Sequence, residues 1–392
     1  TPEFIEQLAA LNSEFAGSGG RVLELYGAFQ EGPFNSARPA KYLPAVSREQ
    51  FQRHVAQARE HGIAFDYLLN SPSYSNHEYT HQGRKKLAEL LAFLAESGVA
   101  SVTVAVPYLV DIISSACPEL EVVVSTIGYV AGVAGIDQYC EAGAKRIVLD
   151  MEVNRDFQFL RAGCAESPVP LEVIVNPVCL SQCHFKYNHN CVAAMGSQSL
   201  TPEGVGAPYN QYYLNWCYLR KLTTESEFLK SPWIRPEDLR LWEETGISYF
   251  KIAGRGLTGP EILRLCRSYL AQRFSGNLLD LLGWPHWLAF RDNGDGDLLP
   301  PLEVCLDNAS LDGFLDFFAR ATPQCRLGCR RCGHCQAWSR KALSFNDQTL
   351  REGYIANMNR NIRRLVDDVP TAEQTRAAST QWLRQAARQV IK

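Results

Sequence analysis

From about residue 21 to residue 273, short apolar runs alternate with longer segments in which apolar residues recur every three or four positions. The short runs are typical of buried β-strands and the longer segments of amphipathic helices. In the first such helix, the apolar residues are Phe51, Val55 and Ala58. Ser47 is suited to cap its N-terminus and Gly62 to end it. The pattern predicts eight strand–helix units, with the strands RVLELYGAF (21–29), IAFDYLLN (63–70), SVTVAV (101–106), EVVVSTIG (121–128), RIVLD (146–150), LEVIVN (171–176), PWIR (232–235) and ISYFKIAG (247–254).

This alternation predicts an α/β fold, a TIM-like (β/α)8 barrel of parallel strands, with a doubly wound open sheet as the alternative. We expect the barrel to span residues 1–273. Residues 274–392 would form a C-terminal extension, because Gly and Pro interrupt the pattern after Phe274. Functional groups of a barrel lie at the carboxyl ends of its strands. The polar residues at those ends are Tyr26, Asn70, Ser125, Asp150, Asn176, Cys179, Arg235, Lys251 and Arg255.

The sixth strand leads into the cysteine-rich segment LEVIVNPVCLSQCHFKYNHNC, residues 171–191. A long loop rich in Gly, Ser and Pro is expected soon after it, at residues 195–209, and loops of that size are usually functional. Cysteines grouped in this way are typical ligands of iron–sulfur clusters. We therefore predict a [4Fe–4S] site whose ligands are Cys179, Cys183 and Cys217, with Cys191 as the fourth ligand and His184 or His189 as its alternatives.

A second group of cysteines, Cys325, Cys329, Cys332 and Cys335, lies in PQCRLGCRRCGHCQAW. Such closely successive cysteines favour a [4Fe–4S] cluster, since zinc sites usually combine two separated ligand pairs. Zinc is the alternative here. The first three cysteines also match the spacing of radical S-adenosylmethionine enzymes, but they lie beyond the barrel and Arg331 stands where those enzymes have an aromatic residue. The sequence thus predicts one or two clusters.

The composition of the chain limits the classes of molecule that it is expected to bind. The chain of 392 residues has a net charge of −3 and a pI near 6.3, so no basic field over the whole molecule favours nucleic acid or an anionic membrane. Residues 320–392 are the exception, with 14 Lys and Arg against 5 Asp and Glu. We interpret this basic tail as solvated helix faces, with an anion-binding surface as the alternative.

No apolar run approaches the roughly 18 residues that a membrane helix requires, and the first residues lack the pattern of a signal peptide. We therefore expect a cytoplasmic protein without a membrane partner. Thiols stay reduced in that compartment, so grouped cysteines are the informative ones. The singly scattered cysteines are expected to be small core residues: Cys117, Cys140, Cys164, Cys266 and Cys305.

The region from about residue 22 to residue 270 resembles peptidase family U32, historically called collagenase-like proteases. The resemblance rests on STIGYVAGVAGIDQYCEAGAKRIVLD, on NRDF at Asn154, on NPVCLSQC and on YFKIAGR. It implies a barrel with a four-cysteine [4Fe–4S] site after the sixth strand. Several relatives are oxygen-independent hydroxylases that act on tRNA, ribosomal RNA or the ubiquinone ring, with prephenate as the oxygen source, and others were described as proteases. This chain departs from the family pattern in the close spacing of Cys179 and Cys183, in the interposed Cys191, and in the cysteine-rich tail.

The resemblance gives the polar strand ends provisional roles. Arg155, Arg235, Lys251 and Arg255 could hold the carboxylates of a prephenate-like co-substrate, because guanidinium groups bind carboxylates in a bidentate manner. Salt bridges at the barrel rim are the alternative for each of them. Asp150 and Glu78 are candidate acid/base groups, with helix capping as the alternative for Asp150, and Lys251 is the third catalytic candidate. Asn70 and Asn176 would fix loop backbones and contact substrate.

The function expected from these features is an iron–sulfur-dependent modifying enzyme, an oxygen-independent hydroxylase or related oxidoreductase. Its substrate would be RNA, a peptide or a small aromatic molecule. A peptidase is the alternative, although the sequence contains no His-Glu-x-x-His helix and no Gly-x-Ser-x-Gly turn. A third hypothesis is a non-catalytic protein whose clusters are structural or carry electrons for a partner in a heteromeric complex.

Overall fold

The computed structural model describes residues 2–29, 33–38, 43–198, 207–254, 256–284, 287–288, 299–320 and 325–367. Seven parallel strands form one sheet in which each strand lies beside the next in chain order. Helices follow the strands, which gives the TIM-like α/β architecture that the sequence predicts. The strands are β1 (Glu24–Gly27), β2 (Ala64–Leu69), β3 (Ser101–Val104), β4 (Glu121–Val124), β5 (Arg146–Val148), β6 (Leu171–Ile174) and β7 (Tyr249–Lys251).

The barrel region also contains eleven of the described helices, and four more belong to the C-terminal extension. The first eleven are α1 (Pro2–Glu14), α2 (Arg48–Glu60), α3 (His81–Glu96), α4 (Pro107–Ala116), α5 (Val133–Glu141), α6 (Phe157–Glu166), α7 (Lys186–Gln198), α8 (Ala207–Thr223), α9 (Ser226–Lys230), α10 (Leu239–Glu243) and α11 (Gly259–Leu270). The last four are α12 (Asp316–Arg320), α13 (Cys325–Cys332), α14 (His334–Ala342) and α15 (Gln348–Asp367).

Helix α2 confirms the sequence pattern in detail. The Ser47 hydroxyl accepts a hydrogen bond from the backbone N–H of Gln50, and the Gln50 side chain accepts one from the N–H of Ser47. This capping box satisfies two N–H groups that the first helical turn leaves unpaired. The predicted apolar face is buried at Phe51, Val55 and Ala58.

The eighth predicted strand, PWIR, is absent from the described part of the sheet. The Ile234 N–H donates to the Val175 carbonyl at 2.8 Å, as a strand beside β6 would. However, Pro232 has no N–H to donate, and Pro236 begins a 3-10 turn directly afterwards. The expected loop at 195–209 is also shorter than predicted, because α7 extends to Gln198 and α8 begins at Ala207; residues 199–206 lie outside the described residues.

The sheet curls so that its first and last strands approach each other. The Tyr26 hydroxyl on β1 donates to the carbonyl of Ile252 at 2.5 Å and accepts from the N–H of Gly254 at 3.2 Å. A side chain therefore joins β1 to the chain that follows β7. On the opposite side of the curl, Arg146 on β5 contacts the Glu24 carboxylate on β1 at 2.6 Å.

Side chains inside the curl form a charged layer, in contrast to the branched apolar residues that usually fill such barrels. Arg146 lies 3.0 Å from Glu172, and Asp66 accepts hydrogen bonds from Ser101 at 3.1 Å and Thr103 at 2.5 Å. Nearer the carboxyl ends of the strands, Val123, Val148 and Ile174 form a small apolar cluster. The apolar residues of β2 that point outward, such as Phe65 and Tyr67, pack in the main core with the helices.

The C-terminal extension packs against the helices that follow β6. A three-stranded antiparallel sheet has the order β10–β9–β8, with β8 (Trp287–Leu288), β9 (Leu302–Leu306) and β10 (Leu343–Phe345). Helix α15 lies along α8, and α14 lies along α9. None of the helices that the structure describes is long and apolar enough to cross a bilayer.

Candidate metal centre

Three predicted ligands, Cys179, Cys183 and Cys217, lie close together beyond the carboxyl end of β6. Cys179 and Cys183 belong to the loop after β6, and Cys217 lies on α8. Burial raises the pKa of the Cys217 thiol to about 12, with smaller contributions from the nearby thiols of Cys179 and Cys183. The fold thus brings together cysteines from two separate elements, as the sequence predicts for a shared site.

Backbone N–H groups point at two of these sulfur atoms. The N–H of Leu180 contacts the sulfur of Cys217. Burial raises the pKa of Cys183, and hydrogen bonds from the N–H groups of Phe185 and Lys186 oppose that rise. These donors lie at the N-terminus of α7, where the helix dipole also favours negative charge. These donors favour the thiolate form, although burial outweighs them and raises the pKa of both free thiols.

A buried lysine lies beside the same thiols. Lys221 stands one helical turn after Cys217 on α8 and is 1% exposed. Its ammonium group donates to the Ser231 hydroxyl at 2.5 Å and to the Glu227 carbonyl at 3.0 Å. Burial lowers the pKa of Lys221 to about 8, while negative charge on Cys217 would raise it. Thiolates bound to a metal would thus stabilise the charged form of this lysine.

The other ligand candidates are placed around aromatic rings. Cys191 lies on α7 near Tyr129 and Tyr213, and its thiol adds to the rise that burial causes in the pKa of each. The ring of His189 stacks on Tyr213 with centroids 5.2 Å apart. The ring of His184 lies 3.8 Å from that of Phe185. Cys191, His184 and His189 thus all remain candidates for a fourth ligand.

Asp150, a predicted acid/base group, is buried and paired with Lys186 at the start of α7. The Lys186 ammonium lies 2.5 Å from both carboxylate oxygens. The same carboxylate accepts a hydrogen bond of 3.0 Å from the N–H of Glu152. Asp150 therefore fixes the beginning of α7 at Lys186, whose own N–H contacts Cys183 together with that of Phe185. The capping role that the sequence left open is also present.

Glu152 holds the cysteine loop itself. Its carboxylate accepts from the N–H of Gln182 at 2.8 Å and from the hydroxyl of Ser181 at 3.3 Å. Burial raises the pKa of Glu152. Sequence reasoning missed this residue, although its place in the turn after β5 brings it to the same end of the sheet as the cysteines.

The two predicted asparagines bind loop backbone. The Asn70 side chain accepts from the N–H of Ala37 at 3.1 Å and donates to the Ser125 hydroxyl at 3.4 Å. The Asn176 side chain accepts from the N–H of Ala253 at 2.7 Å and donates to the carbonyls of Ala253 and Leu281. Both asparagines fix the backbone at the strand ends, as expected. Substrate contact by either of them stays a prediction.

Lys251, the third catalytic candidate, lies in the charged layer inside the curled sheet. Its ammonium group is 3.7 Å from Glu172, 3.8 Å from Asp66 and 4.4 Å from the centre of the Tyr26 ring. Burial alone would lower the pKa of Lys251, but the two carboxylates more than offset that effect and raise it. For Asp66, burial outweighs the nearby lysine and raises the pKa of the carboxyl group.

The predicted carboxylate-binding arginines are engaged within the fold. Arg235 is 2% exposed and donates at 2.8 Å to Asp238, to Asp312 and to the Asn308 carbonyl. The structure thus gives it the salt-bridge role that the sequence left open. Arg155 donates to the carbonyls of Leu229 and Trp233. Arg255 lies outside the described residues.

Glu78 is buried in a 3-10 turn (His77–Tyr79), and one of its carboxylate oxygens has no hydrogen-bond partner in the described structure. This distinguishes it from the paired Asp150. A catalytic role for Glu78 stays a prediction.

The four tail cysteines also come together. Cys325, Cys329 and Cys332 lie on α13, and Cys335 lies in the first turn of α14. All four line one cavity, which also contacts Lys230 on α9.

Within the described residues, no three His, Cys, Asp or Glu side chains converge on the position of a single metal ion. The chemistry around Cys179, Cys183 and Cys217 nevertheless fits a larger anionic group, because N–H donors contact two of the sulfurs and a buried ammonium group lies beside them. Such hydrogen bonds and nearby charges are the groups by which proteins stabilise iron–sulfur clusters. The residues present therefore fit a [4Fe–4S] cluster.

Sequence reasoning also missed Lys221 and the charged layer, and both left a signal. Lys221 follows Cys217 by four residues, which places the two side chains on one helix face. Two charged residues of the layer interrupt apolar strands, Asp66 in AFDYLL and Glu172 in LEVI. A single charge at an inward position of a buried strand predicts a partner across the barrel.

Comparison with known proteins places these residues in a family. The family model described as peptidase family U32 matches residues 37–271. An uncharacterized protease of Methanocaldococcus jannaschii is 28% identical over 321 residues, which is 82% of this chain and 88% of that protein. A solved structure of a U32 peptidase is similar to 49% of this chain and 74% of its own, at 20% identity and a TM-score of 0.41.

Proposed function

This chain belongs to peptidase family U32, and from that premise we propose that it is an iron–sulfur-dependent modifying enzyme, an oxygen-independent hydroxylase or related oxidoreductase. The observation that carries the proposal is the group formed by Cys179, Cys183 and Cys217 beside the buried ammonium of Lys221. It lies beyond the carboxyl ends of the strands, where barrels of this type bind their substrates.

Cys179, Cys183 and Cys217 would hold a [4Fe–4S] cluster, with Cys191, a histidine or substrate as the fourth ligand. A bound cluster supplies Lewis-acidic iron or a path for single electrons. The cluster and its thiolates together carry negative charge, which the buried Lys221 balances. The N–H groups of Phe185 and Lys186 favour the thiolate of Cys183, and the Asp150–Lys186 pair keeps them in place.

We further propose that the inserted oxygen atom comes from a small carboxylated donor of the prephenate type, and that the acceptor is RNA, a peptide or a small aromatic molecule. The C–O bond of the donor would break as the C–O bond of the acceptor forms, and the donor would take up the two electrons and the hydrogen that the acceptor loses. This part rests on the resemblance to oxygen-independent hydroxylases of the family. Thiols committed to a cluster are not available as nucleophiles, which favours a redox modification over cysteine-dependent peptide cleavage.

The test begins with protein purified without oxygen. Wild type should contain iron and sulfide in equal amounts, with about four of each at this site. Cys179→Ala and Cys217→Ala should each remove that cluster. Cys140→Ala is the matched control, because Cys140 is a half-buried cysteine outside both groups. Iron content that stays unchanged in both site variants would refute the site.

Activity is then tested on RNA extracted from cells that lack the gene. Cluster-loaded protein and prephenate are supplied without O2, and nucleosides are analysed by mass spectrometry. A nucleoside that gains one oxygen atom with wild type but not with Cys217→Ala supports a hydroxylase that acts on RNA. A parallel assay with free aromatic acids examines the small-molecule alternative.

A peptidase is the second candidate, favoured by the family description and by the name of the archaeal relative. Its distinguishing result is cleavage of a peptide by cluster-free protein. Cys179→Ala and Cys217→Ala would not affect such cleavage, and prephenate would not be needed.

A further inference from the structure

The four tail cysteines line a cavity that the function proposed above does not use. Its volume is about 170 Å³, and its wall includes Cys325, Cys329, Cys332, Cys335, Lys230 and Phe317. The C-x3-C-x2-C-x2-C spacing lets α13 and the first turn of α14 supply all four thiols. Cys325, Cys329 and Cys332 are exposed and Cys335 is half-buried, so the cavity opens to the surface.

Positive charge surrounds this cavity on the side of the barrel. Arg155 lowers the pKa of Cys335, although burial outweighs that effect and brings it to about 11. The two terminal nitrogens of Arg155 donate to backbone carbonyls, and its Nε has no hydrogen-bond partner in the described structure. Lys230 also lies near Cys329 and Cys335. Two cations beside four thiols favour an anionic occupant.

His334 also lines this cavity, and neighbouring aromatic residues hold its ring. The ring stacks on Phe314, at 5.1 Å, and on Phe317, at 4.1 Å, and its Nε2 is 3.1 Å from the Phe314 carbonyl. Arg155 lies over the ring of Phe314 as well, at 5.3 Å. These contacts fix His334 at the beginning of α14, beside the four thiols.

The spacing of the cysteines favours a cluster over one ion. Structural zinc sites usually combine two ligand pairs that are well separated in sequence. In a [4Fe–4S] cluster each thiolate binds a separate iron atom, and closely successive cysteines are typical of the segments that hold one. All four thiols line the same cavity, so they can bind one group.

Helix α9 contacts a lysine beside each group of thiols. The Glu227 carbonyl accepts from Lys221, which lies beside Cys217. The Glu227 carboxylate accepts from Lys230 at 3.0 Å, and Lys230 lies beside Cys329 and Cys335. Each group of thiols therefore has a lysine of its own.

We propose that Cys325, Cys329, Cys332 and Cys335 form a second cofactor site that takes its own [4Fe–4S] cluster, with Arg155 and Lys230 balancing its charge. This inference goes beyond the function proposed above and does not depend on it. The site lies at the surface of the extension, where Cys325, Cys329 and Cys332 are exposed.

The test is anaerobic reconstitution of the full chain with ferrous iron and sulfide. Wild type should bind about eight iron and eight sulfide, and the double variants C329S/C332S and C179S/C217S about four of each. The variant with all four substitutions should bind none. Cys305→Ser, a half-buried cysteine on β9, is the matched control and should bind as wild type does.

If C329S/C332S keeps the cluster at the strand ends, that variant is folded. The single substitution Cys332→Ser is milder and provides a second check. Three results would overturn the proposal: iron content equal to wild type in C329S/C332S, loss of all iron in both double variants, or zinc that remains at the tail cysteines after reconstitution. If C179S/C217S binds as much iron as wild type, the function proposed above fails while the tail site stands.

Discussion

The ammonium group of Lys221 donates a hydrogen bond of 3.0 Å to the backbone carbonyl of Glu227. Glu227 is the second residue of the short helix α9. Its carboxylate accepts a hydrogen bond from Lys230, which faces the tail cysteines. One residue thus orients a lysine toward each group of thiols. Substitution of Lys221 should therefore affect the thiols at the strand ends, and substitution of Lys230 should affect the tail thiols.

Lys221 should leave a pH signature in cluster-free protein. Its pKa is about 8 in the folded chain, against a usual value of 10.5, because burial disfavours the charged form. Between these values the unfolded chain binds more protons, so stability should rise with pH. We expect wild type to gain about 3 kcal/mol across that range relative to Lys221→Met, measured by urea unfolding at a series of pH values. Parallel curves for the two proteins would contradict this.

Asp150→Asn should weaken the cluster without touching a ligand. The substitution removes the charge that holds Lys186 and so loosens the start of α7, where two N–H groups contact Cys183. We expect a chelator to remove iron several-fold faster from this variant than from wild type. The loss of visible absorbance measures the rate. Asp137→Asn, at an exposed position on α5, is the control. Equal release rates in Asp150→Asn and wild type would show that the pair does not position the loop.

Lys251→Met should destabilise the protein by about 3 kcal/mol, because it removes the ammonium group beside the buried Asp66 carboxylate. Glu172 also loses a cation but keeps Arg146 at 3.0 Å. Adding Asp66→Asn to the same variant should restore part of the loss. Urea unfolding measures both effects. A Lys251→Met protein with unchanged stability and reduced turnover would instead support the catalytic role that the sequence suggests.

Arg235→Gln should lower the free energy of unfolding by about 3 kcal/mol, since it removes a buried charge from a satisfied network. The network consists of Asp238, Asp312 and the Asn308 carbonyl, so the substitution should also loosen the C-terminal extension. Arg240→Gln is the control, because the Arg240–Glu244 pair is exposed and should contribute little. Retention of wild-type stability in Arg235→Gln would argue for a ligand-binding role instead.

Local signals in the sequence predicted much of the fold. Ser47 and Gly62 mark the two ends of helix α2, because capping and termination depend on neighbouring residues. The spacing of the cysteines after β6 is also a local signal, and it indicates a shared site. Such features are determined within a few residues of the chain.

Other features depend on partners that are distant in sequence. PWIR has the apolar character of a strand, but two prolines and the contacts of Arg235 with the extension exclude it from the described sheet. The role of Arg235 could not be read from its position because Asp312 lies 77 residues away. The partners of Lys221 are nearer, since Glu227 and Ser231 follow it by six and ten residues, but their pairing still requires α9 to fold back against α8.

The charged layer within the curled sheet also constrains how the chain can fold. Arg146 follows Glu24 by 122 positions, and Asp66 meets Lys251 only when the last strand is added. Long-range pairs of this kind slow folding, because chain entropy is lost before the contacts form. A chain that ends before β7 already has Arg146 beside Glu24 and Glu172, but it lacks the ammonium group beside Asp66. Synthesis of β7 therefore completes the charged layer.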